Sequence, residues 1–137
     1  MLIKSPLLLV FLILPTTLLT SCLSAPECSL AITSTVQESA NAGCLVVDNQ
    51  QLLLVQGLDG KVSIPGGSAK NGESAACTAF RETWEETALH TIPIQRARRW
   101  PNGFVMFECQ LVSNPNDAAI LRPAEIKQVL WLSLIHI

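Results

Sequence analysis

Three glutamates near the middle of the chain have a spacing that places them on one side of a helix. Glu82, Glu85 and Glu86 stand at positions i, i+3 and i+4, so their carboxylates fall within one turn of each other. Like charges at this spacing repel, and each pair costs a helix about 0.2–0.5 kcal/mol. A solvated acidic helix face is one explanation of such a stripe, and a bound cation is the other.

The residues around the stripe fit a hard divalent cation such as Mg²⁺, which prefers oxygen ligands and keeps positions open for water and phosphate oxygens. Arg81 stands directly before the first glutamate, and its planar guanidinium can hold and orient a carboxylate. Upstream, the sequence Pro65-Gly66-Gly67 allows the backbone to turn sharply, which can bring a carbonyl close to the same ion.

These residues belong to a longer pattern with fixed spacing. Its members, in chain order, are Gly67, Glu73, Arg81, Glu82, Glu85, Glu86, Ala88 and Leu89. The pattern resembles the Nudix box of the Nudix hydrolases, and the six glycine, arginine and glutamate positions match that box at the right spacing. The resemblance covers roughly residues 42–132.

Two positions depart from the box. Thr83 stands where an apolar residue is usual, and its methyl group can still pack. Ala88 replaces the final glycine, which ends the helix in a left-handed backbone conformation. We expect either a strain of about 1 kcal/mol at Ala88 or a helix that runs on slightly. Neither departure removes a metal ligand.

The resemblance implies an α/β protein with the Nudix fold, an α/β/α sandwich around a mixed β-sheet. It also implies an enzyme, a Nudix-type pyrophosphohydrolase. Such an enzyme uses a metal ion, Mg²⁺ or Mn²⁺, and cleaves the diphosphate linkage of a nucleoside diphosphate derivative or a related organic pyrophosphate by attack of water on phosphorus. The implied partner is a small-molecule diphosphate whose identity the sequence does not specify.

The metal ligands that the resemblance implies are one backbone carbonyl and three carboxylates, those of Gly66, Glu82, Glu85 and Glu86. Together they would neutralise the diphosphate and lower the pKa of a bound water.

The catalytic residues that the resemblance implies are Arg81, Glu82, Glu85 and Glu125. Arg81 would orient the acids, and Glu73 would support Arg81 or an outer-shell water. A carboxylate would take the proton of the attacking water, and the candidates are Glu82 and Glu125. Glu125 is a candidate because it lies six residues before Trp131, in the loop ahead of the last strand; a plain surface acid is the alternative.

Two other functions remain open at this point. The first is a Nudix-fold module that binds a nucleotide or a protein without turnover, although a pure binder has no need of the repulsive acidic stripe. The second is an inactive, truncated fragment, in which an uncovered apolar sheet face would favour aggregation.

The strands that must position the box flank it on both sides. Residues 30–36 have the β-branched content of a first strand, and residues 43–47 and 51–55 are two apolar strands separated by the turn Asp48-Asn49-Gln50. After the helix, residues 104–112 form a strong strand and residues 129–132 the last one.

The helix itself has a cap and a packing side. Ser74 is placed to cap its first turn, and Ala76, Ala79 and Thr83 form an apolar stripe that Leu89 closes. Phe80 and Trp84 lie away from the acids and are interpreted as packing residues.

A small basic cluster follows the helix, made of Arg96, Arg98 and Arg99 before Trp100-Pro101-Asn102-Gly103. It could contact substrate phosphates or lie on a solvated strand edge or loop. Elsewhere the charge balance is acidic. Without residues 1–25, whose one charge is Lys4, eight basic and eleven acidic residues give a formal charge of −3. This balance offers no basic stripe for nucleic acid.

Residues 1–25 are typical of an export signal, because Lys4 precedes an unbroken apolar run over residues 7–14 and small polar residues follow. Leu19-Thr20-Ser21-Cys22 resembles a bacterial lipobox, in which Cys22 is lipidated, while Leu23-Ser24-Ala25 offers an ordinary cleavage site. A transmembrane anchor is the weaker interpretation. The expected location is the bacterial periplasm, free or anchored to the membrane through Cys22.

Four cysteines remain after this segment: Cys28, Cys44, Cys77 and Cys109. In an oxidising compartment such a set predicts one or two structural disulfides. Four cysteines allow three full pairings, and the sequence does not choose among them.

The predicted domain covers residues 26–132, and residues 133–137 are expected to be a non-native tail. A DNA sequence that would encode residues 132–137 resembles the end of a common transposon-based sequencing adapter. Nudix domains normally follow the last strand with a helix that packs on the sheet, and this helix is missing from the sequence. We therefore expect the natural reading frame to continue.

Overall fold

The computed structural model describes residues 25–28 and 38–135. The predicted strand over residues 30–36, the export segment up to residue 24 with its Cys22, and the end of the predicted tail lie outside the described residues. Within the described residues, no helix is long and apolar enough to cross a membrane.

The described part of the chain contains seven strands, one α-helix and one short 3₁₀-helix. In chain order they are β1 (Ala42–Asp48), β2 (Gln51–Gly57), β3 (Val62–Ser63), β4 (Gly66–Gly67), α1 (Ala75–Thr87), β5 (Thr91–Arg99), β6 (Val105–Leu111), the 3₁₀-helix (Pro115–Asp117) and β7 (Ile126–Ser133).

The seven strands form one mixed sheet in the order β3-β2-β1-β6-β5, with β7 also paired to β2. β1 and β6 run parallel, whereas the other strand pairs are antiparallel. The two-residue strand β4 pairs with the first residues of β1, so that Gly66 lies opposite Gly43. The predicted α/β class and mixed sheet are therefore confirmed, and in the described residues α1 alone forms the helical layer.

The hairpin between β1 and β2 turns where the sequence predicted. Asn49 and Gln50 both have positive φ angles, 45° and 61°. Two consecutive left-handed residues are the signature of a type I′ turn, whose twist matches that of the flanking strands. This turn sets the register in which Val47 faces Leu52.

Helix α1 begins at the predicted cap and ends by the first of the two routes expected at Ala88. The side chain of Ser74 accepts a hydrogen bond from the backbone N–H of Cys77, which caps the first turn. At the other end Ala88 takes the left-handed conformation with φ of 60°, and its N–H donates to the Trp84 carbonyl at 2.8 Å. The helix therefore ends at the position where the box has a glycine, and the backbone of Ala88 adopts a conformation that is strained for alanine.

The core lies between α1 and one face of the sheet. The apolar stripe of α1, with Ala76 and Ala79, packs against buried side chains of β1, β2 and β6, including Val46, Leu53 and Phe107. The other face of the sheet carries exposed apolar side chains: Val47, Ile92, Ile94 and Leu132.

Two disulfides link the four cysteines. Cys44 pairs with Cys109 inside the core, joining the parallel strands β1 and β6. Cys28 pairs with Cys77 and ties residues 25–28 to the first half of α1. The structure thus selects one of the three pairings that the sequence left open.

Candidate active site

Arg81 connects the residues of the site, because every N–H group of its guanidinium has an acceptor. Nε and Nη2 donate to the two carboxylate oxygens of Glu73 at 2.7 and 2.8 Å. Nη1 donates to Glu82 at 2.8 Å and to Glu85 at 3.0 Å, and Nη2 also donates to the Ser68 carbonyl at 2.9 Å. Buried charge-assisted bonds of this kind are strong and directional. Arg81 therefore holds the loop before α1 and two of the three stripe acids in one arrangement.

The environment of Glu73 stabilises its ionised form. The bidentate hydrogen bond from Arg81 is the largest cause, and it lowers the pKa of Glu73 to about 2 against the desolvation that burial brings. The backbone N–H of Lys70 and the hydroxyl of Thr78 also donate to this carboxylate. Glu73 thus closes the loop 67–74 onto the helix.

Glu82 lies against the Gly-Gly segment. A Cβ atom on Gly67 would stand only 2.6 Å from the Glu82 carboxyl carbon, so any other residue at position 67 would displace this acid. Glu82 is buried, and its outer oxygen lies 3.6 Å from Nη1 of Arg122. The glycine of the box is therefore required by the position of a carboxylate.

Glu86 is the stripe acid whose charge is least compensated. It is buried, with 7% of its surface exposed, and its Oε2 accepts the backbone N–H of Gly66 at 2.9 Å. Burial is the main cause that raises the pKa of Glu86 to about 7, and the charges of Glu82 and Glu125 raise it further. The Gly66 N–H opposes this shift without cancelling it. Within the described residues no cation is paired with Glu86.

Glu85 and Glu125 meet at a residue that the sequence analysis did not single out. Arg122, in the loop before β7, is hydrogen-bonded through Nη2 to Glu85 and through Nη1 to Glu125 at 3.2 Å. Lys70 reaches the other oxygen of Glu85 at 3.5 Å. Glu125, a predicted base, is therefore joined to the stripe through Arg122. A basic residue three positions before Glu125 was the one available signal.

Of the predicted metal ligands, Glu82 and Glu86 lie against the Gly66-Gly67 backbone, whereas Glu85 has other partners. Glu85 is turned to Arg81 and Arg122, while Glu86 is turned to Gly66. For this reason no three carboxylate, histidine or cysteine side chains converge as a ready metal-binding group in the part of the chain that the structure describes. The donor set itself suits a hard divalent cation, since buried carboxylates with excess negative charge gain most from one.

A cleft of about 510 Å³ opens beside the stripe. Its lining combines charged side chains from the box and its loops with Trp84 and the start of the described chain: Ala25, Pro26, Cys28, Lys70, Glu73, Arg81, Trp84, Glu85, Leu121 and Arg122. The Cys28–Cys77 disulfide holds residues 25–28 on this wall. Trp84 is buried, as predicted for a packing residue, yet one edge of it borders the cleft.

The basic cluster on β5 lies away from the cleft lining. Arg96, Arg98 and Arg99 are all exposed on the strand; Arg99 pairs with Glu38, and the guanidinium carbon of Arg98 lies 5.1 Å from the Trp100 ring centroid. The cluster therefore lies on an exposed strand, and contact with substrate phosphates stays a prediction.

Comparison with known proteins identifies a family. The family model described as "NUDIX domain" matches residues 38–137. No curated protein matches the chain.

Several solved structures share the fold. A UDP-X diphosphatase superposes with a TM-score of 0.59 and 18% identity over 74% of this chain and 54% of its own, so the chain spans about half the length of that protein. An ADP-ribose pyrophosphatase from Streptococcus suis gives a TM-score of 0.57 and 21% identity over 68% of this chain and 72% of its own. A NUDIX hydrolase from Nitrosomonas europaea gives a TM-score of 0.61 and 21% identity over 73% of this chain and 61% of its own. At these identities the likeness shows the fold.

Proposed function

The chain belongs to the NUDIX domain family, and from that premise we propose that it hydrolyses the diphosphate linkage of a nucleoside diphosphate derivative with a divalent cation, Mg²⁺ or Mn²⁺. Family membership makes it a Nudix-type pyrophosphohydrolase, and the solved structures with its fold include two named for pyrophosphate hydrolysis. The cation, the nucleoside and the roles of individual residues are the proposal.

The observation that carries the proposal is the uncompensated charge at Glu86. A carboxylate that is buried beside another carboxylate, with a pKa raised to about 7, is unfavourable for folding. A hard cation at this position would restore its charged form, and carboxylate oxygens are the ligands that such a cation prefers. Perturbed acids of this kind concentrate at functional sites.

The residues that would hold the cation are Glu82, Glu85 and Glu86, with the carbonyl of Gly66. When bound, the ion would supply charge neutralisation for the diphosphate and a lowered pKa for a ligand water. These are the roles predicted from the sequence, and the positions of Glu86 beside Gly66 and of Glu82 beside Gly67 support them.

The remaining groups have roles that follow from their contacts. Arg81 holds Glu82 and Glu85 in place and is itself fixed by Glu73, so it orients the acids. Lys70 and Arg122 lie on the cleft wall, where they can bind phosphate oxygens. Water would attack phosphorus in line with the departing phosphate, and its proton would pass to a carboxylate oxygen of Glu82 or Glu125.

The test is turnover of a panel of nucleoside diphosphate derivatives with Mg²⁺ or Mn²⁺, comparing wild type with Glu86→Gln. We expect metal-dependent release of monophosphate that falls about 100-fold or more in the variant. Glu108→Gln is the matched control, because Glu108 is exposed on β6 and contacts Gln95. It should retain full activity.

A second measurement separates a failed proposal from a poor substrate panel. Mn²⁺ binding, followed by the loss of the free-ion signal in electron paramagnetic resonance, should be weakened in Glu86→Gln and unchanged in Glu108→Gln. A folded wild-type protein that binds Mn²⁺ and turns over no diphosphate would favour the binding module. Turnover that is equal in wild type and Glu86→Gln would contradict the assigned site.

We further propose that the protein acts outside the cytoplasm, in the bacterial periplasm or anchored to a membrane through lipidated Cys22. Two disulfides among the four cysteines of the described residues support this, since such bonds persist in oxidising compartments. Fractionation of cells that express the wild type and Cys22→Ala provides the test. Membrane association lost in the variant supports lipidation, whereas recovery of both forms in the cytoplasm would contradict export.

A further inference from the structure

Arg122 places one positive charge among three carboxylates that come from two parts of the chain. Its Nη2 is hydrogen-bonded to Glu85, its Nη1 donates to Glu125 at 3.2 Å, and the same Nη1 lies 3.6 Å from Oε2 of Glu82. Glu82 and Glu85 stand on α1, whereas Glu125 precedes β7. The guanidinium therefore takes the part of a bound cation, because three acids share it as a counter-charge.

The loop that carries Arg122 is fixed at both ends by backbone hydrogen bonds. The N–H of Ala119 donates to the Thr87 carbonyl at the end of α1 at 2.9 Å, and the N–H of Leu58 donates to the Glu125 carbonyl at 3.2 Å. Between these points the Arg122 carbonyl accepts the N–H of Glu125 at 3.0 Å, which closes a turn. The backbone thus holds Arg122 beside the acids, and its side chain is the part that can change partners.

The two arginines of the site differ in what holds them besides the predicted metal ligands. The side chain of Arg81 is 8% exposed and is bonded to Glu73 and to the Ser68 carbonyl. The side chain of Arg122 is 32% exposed, and within the residues that the structure describes its hydrogen bonds and ion pairs all go to the three carboxylates named above. Arg81 therefore stays in place when those carboxylates turn to a divalent cation, whereas Arg122 loses its partners.

A guanidinium released from the acids has a second use at the same place. Arg122 lines the cleft of about 510 Å³ together with Lys70. Its planar fork matches the oxygens of a phosphate as well as those of a carboxylate, and it can donate two parallel hydrogen bonds to either. Because the backbone at Arg122 is fixed, the released side chain remains on the cleft wall, where the diphosphate of the substrate would lie.

We propose that Arg122 exchanges partners during the reaction cycle. Without a divalent cation it neutralises the three carboxylates; when a cation binds them, Arg122 gives them up and binds the phosphate oxygens of the substrate. The inference rests on the proposed function and adds an order of binding, with the cation before the diphosphate. It also predicts positive coupling between the two ligands, since each of them favours the same position of Arg122.

Binding of Mn²⁺ without substrate is the first test, because Arg122 competes with the ion for the acids. Arg122→Gln removes the competing charge and should bind Mn²⁺ about 10-fold more tightly than wild type, as the loss of free-ion signal in electron paramagnetic resonance. Arg122→Lys should lie between the two, since an ammonium lacks the planar fork. Lys127→Gln is the matched control, because it removes one positive charge at an exposed position of β7. It should bind Mn²⁺ as wild type does.

Binding of a diphosphate analogue that cannot be hydrolysed, methylenediphosphonate, is the second test. Isothermal titration is done with Mn²⁺ in excess, so that the analogue has the same metal-bound form with every variant. Arg122→Gln should bind it about 10-fold more weakly than wild type, because a charge-assisted hydrogen bond to phosphate is lost. The variant thus gains affinity for the cation and loses affinity for the diphosphate. A merely structural defect would weaken both, and circular dichroism confirms that each variant is folded.

Three results would overturn the proposal. Equal Mn²⁺ affinity in wild type and Arg122→Gln would show that Arg122 does not compete with the cation. Weaker Mn²⁺ binding in Arg122→Gln would show that Arg122 orients the acids as Arg81 does. Unchanged affinity for methylenediphosphonate would remove its role at the phosphate.

The same measurements separate this assignment from the proposed function. If Mn²⁺ binding depends on Glu86 but is the same in wild type and Arg122→Gln, the proposed function stands and the exchange of partners fails. If Arg122→Gln shows both shifts while no diphosphate is hydrolysed, the reaction fails and the exchange stands. If neither folded protein binds Mn²⁺, both are contradicted.

Discussion

The structure holds two carboxylates in opposite ways, Glu73 in the loop before α1 and Glu86 in the last part of α1. Glu73 accepts two hydrogen bonds from Arg81 and has a pKa of about 2. Glu86 lies deeper, accepts a hydrogen bond from Gly66, and has a pKa of about 7. The first carboxylate is stabilised as a charge by the fold, while the second is a charge that the fold leaves unbalanced. Glu73 therefore has a structural role, whereas Glu86 is the acid at which a bound cation would contribute most to stability.

The largest effect on stability should follow from removing the positive charge of Arg81, the partner of Glu73. Arg81→Gln leaves the buried Glu82 and the partly buried Glu73 without their main partner, and breaking a buried pair in this way costs about 3–5 kcal/mol. We expect a loss of that size in urea unfolding at pH 7 with EDTA present. Arg96→Gln, which changes an exposed arginine, should stay within about 0.5 kcal/mol of wild type. A loss below about 1 kcal/mol for Arg81→Gln would mean that the contacts of Arg81 do not stabilise the fold.

Removing the charge of Glu86 should have the opposite effect and stabilise the metal-free protein. In the metal-free protein the pKa of Glu86 is raised to about 7 from an ordinary 4.5, so the native state binds more protons than the unfolded state between these values. Stability should therefore fall as the pH rises from 4.5 to 7, by an amount on the order of 3 kcal/mol at most. Glu86→Gln removes the titrating group and keeps an oxygen for the Gly66 N–H.

The measurement is urea unfolding in EDTA at pH 4.5, 6 and 8. Glu86→Gln should match wild type at the lowest pH and be more stable at pH 8, whereas Glu108→Gln should follow wild type throughout. Parallel pH profiles for wild type and Glu86→Gln would show that Glu86 is not the destabilising charge. Saturating Mn²⁺ should stabilise the wild type and leave the Glu86→Gln variant nearly unchanged.

Glu73→Gln should show the opposite pH dependence with a smaller amplitude. Because Arg81 lowers the pKa of Glu73 to about 2, its stabilising effect is fully present above pH 4.5 and is lost as the pH falls towards 2. We expect Glu73→Gln to lose about 2 kcal/mol at pH 7, the value of a hydrogen bond to a charged group, and to approach wild type near pH 2. Thermal unfolding across this range is the measurement. A deficit that stays constant with pH would indicate lost packing instead.

Much of the local structure around Glu73 and Glu86 could be predicted, because it depends on residues that are close together in the sequence. The spacing of the glutamates, the cap at Ser74, the turn at Asn49-Gln50 and the end of the helix at Ala88 are all set within a few residues. Short-range rules of this kind fix which side of α1 carries the acids. They do not fix what those acids meet.

The unpredicted parts depend on contacts between distant segments. Arg122 is 37 positions from Glu85, and it reaches the stripe because β7 pairs with β2 and returns the preceding loop to the site. Trp100 lies beside Gly66 because β6 runs parallel to β1, next to β4. No local pattern encodes such meetings. The pairing of the cysteines was open for the same reason.

The smallest effect should come from the end of the helix, where neither carboxylate is touched. Ala88 holds a left-handed conformation with φ of 60°, which costs an alanine about 1 kcal/mol and a glycine nothing in steric terms. Ala88→Gly should therefore raise the free energy of unfolding by up to about 1 kcal/mol at every pH, with activity and Mn²⁺ affinity unchanged. A gain confined to high pH would instead couple this turn to Glu86, two residues away, and the helix end would then belong to the same unbalanced region as the acid.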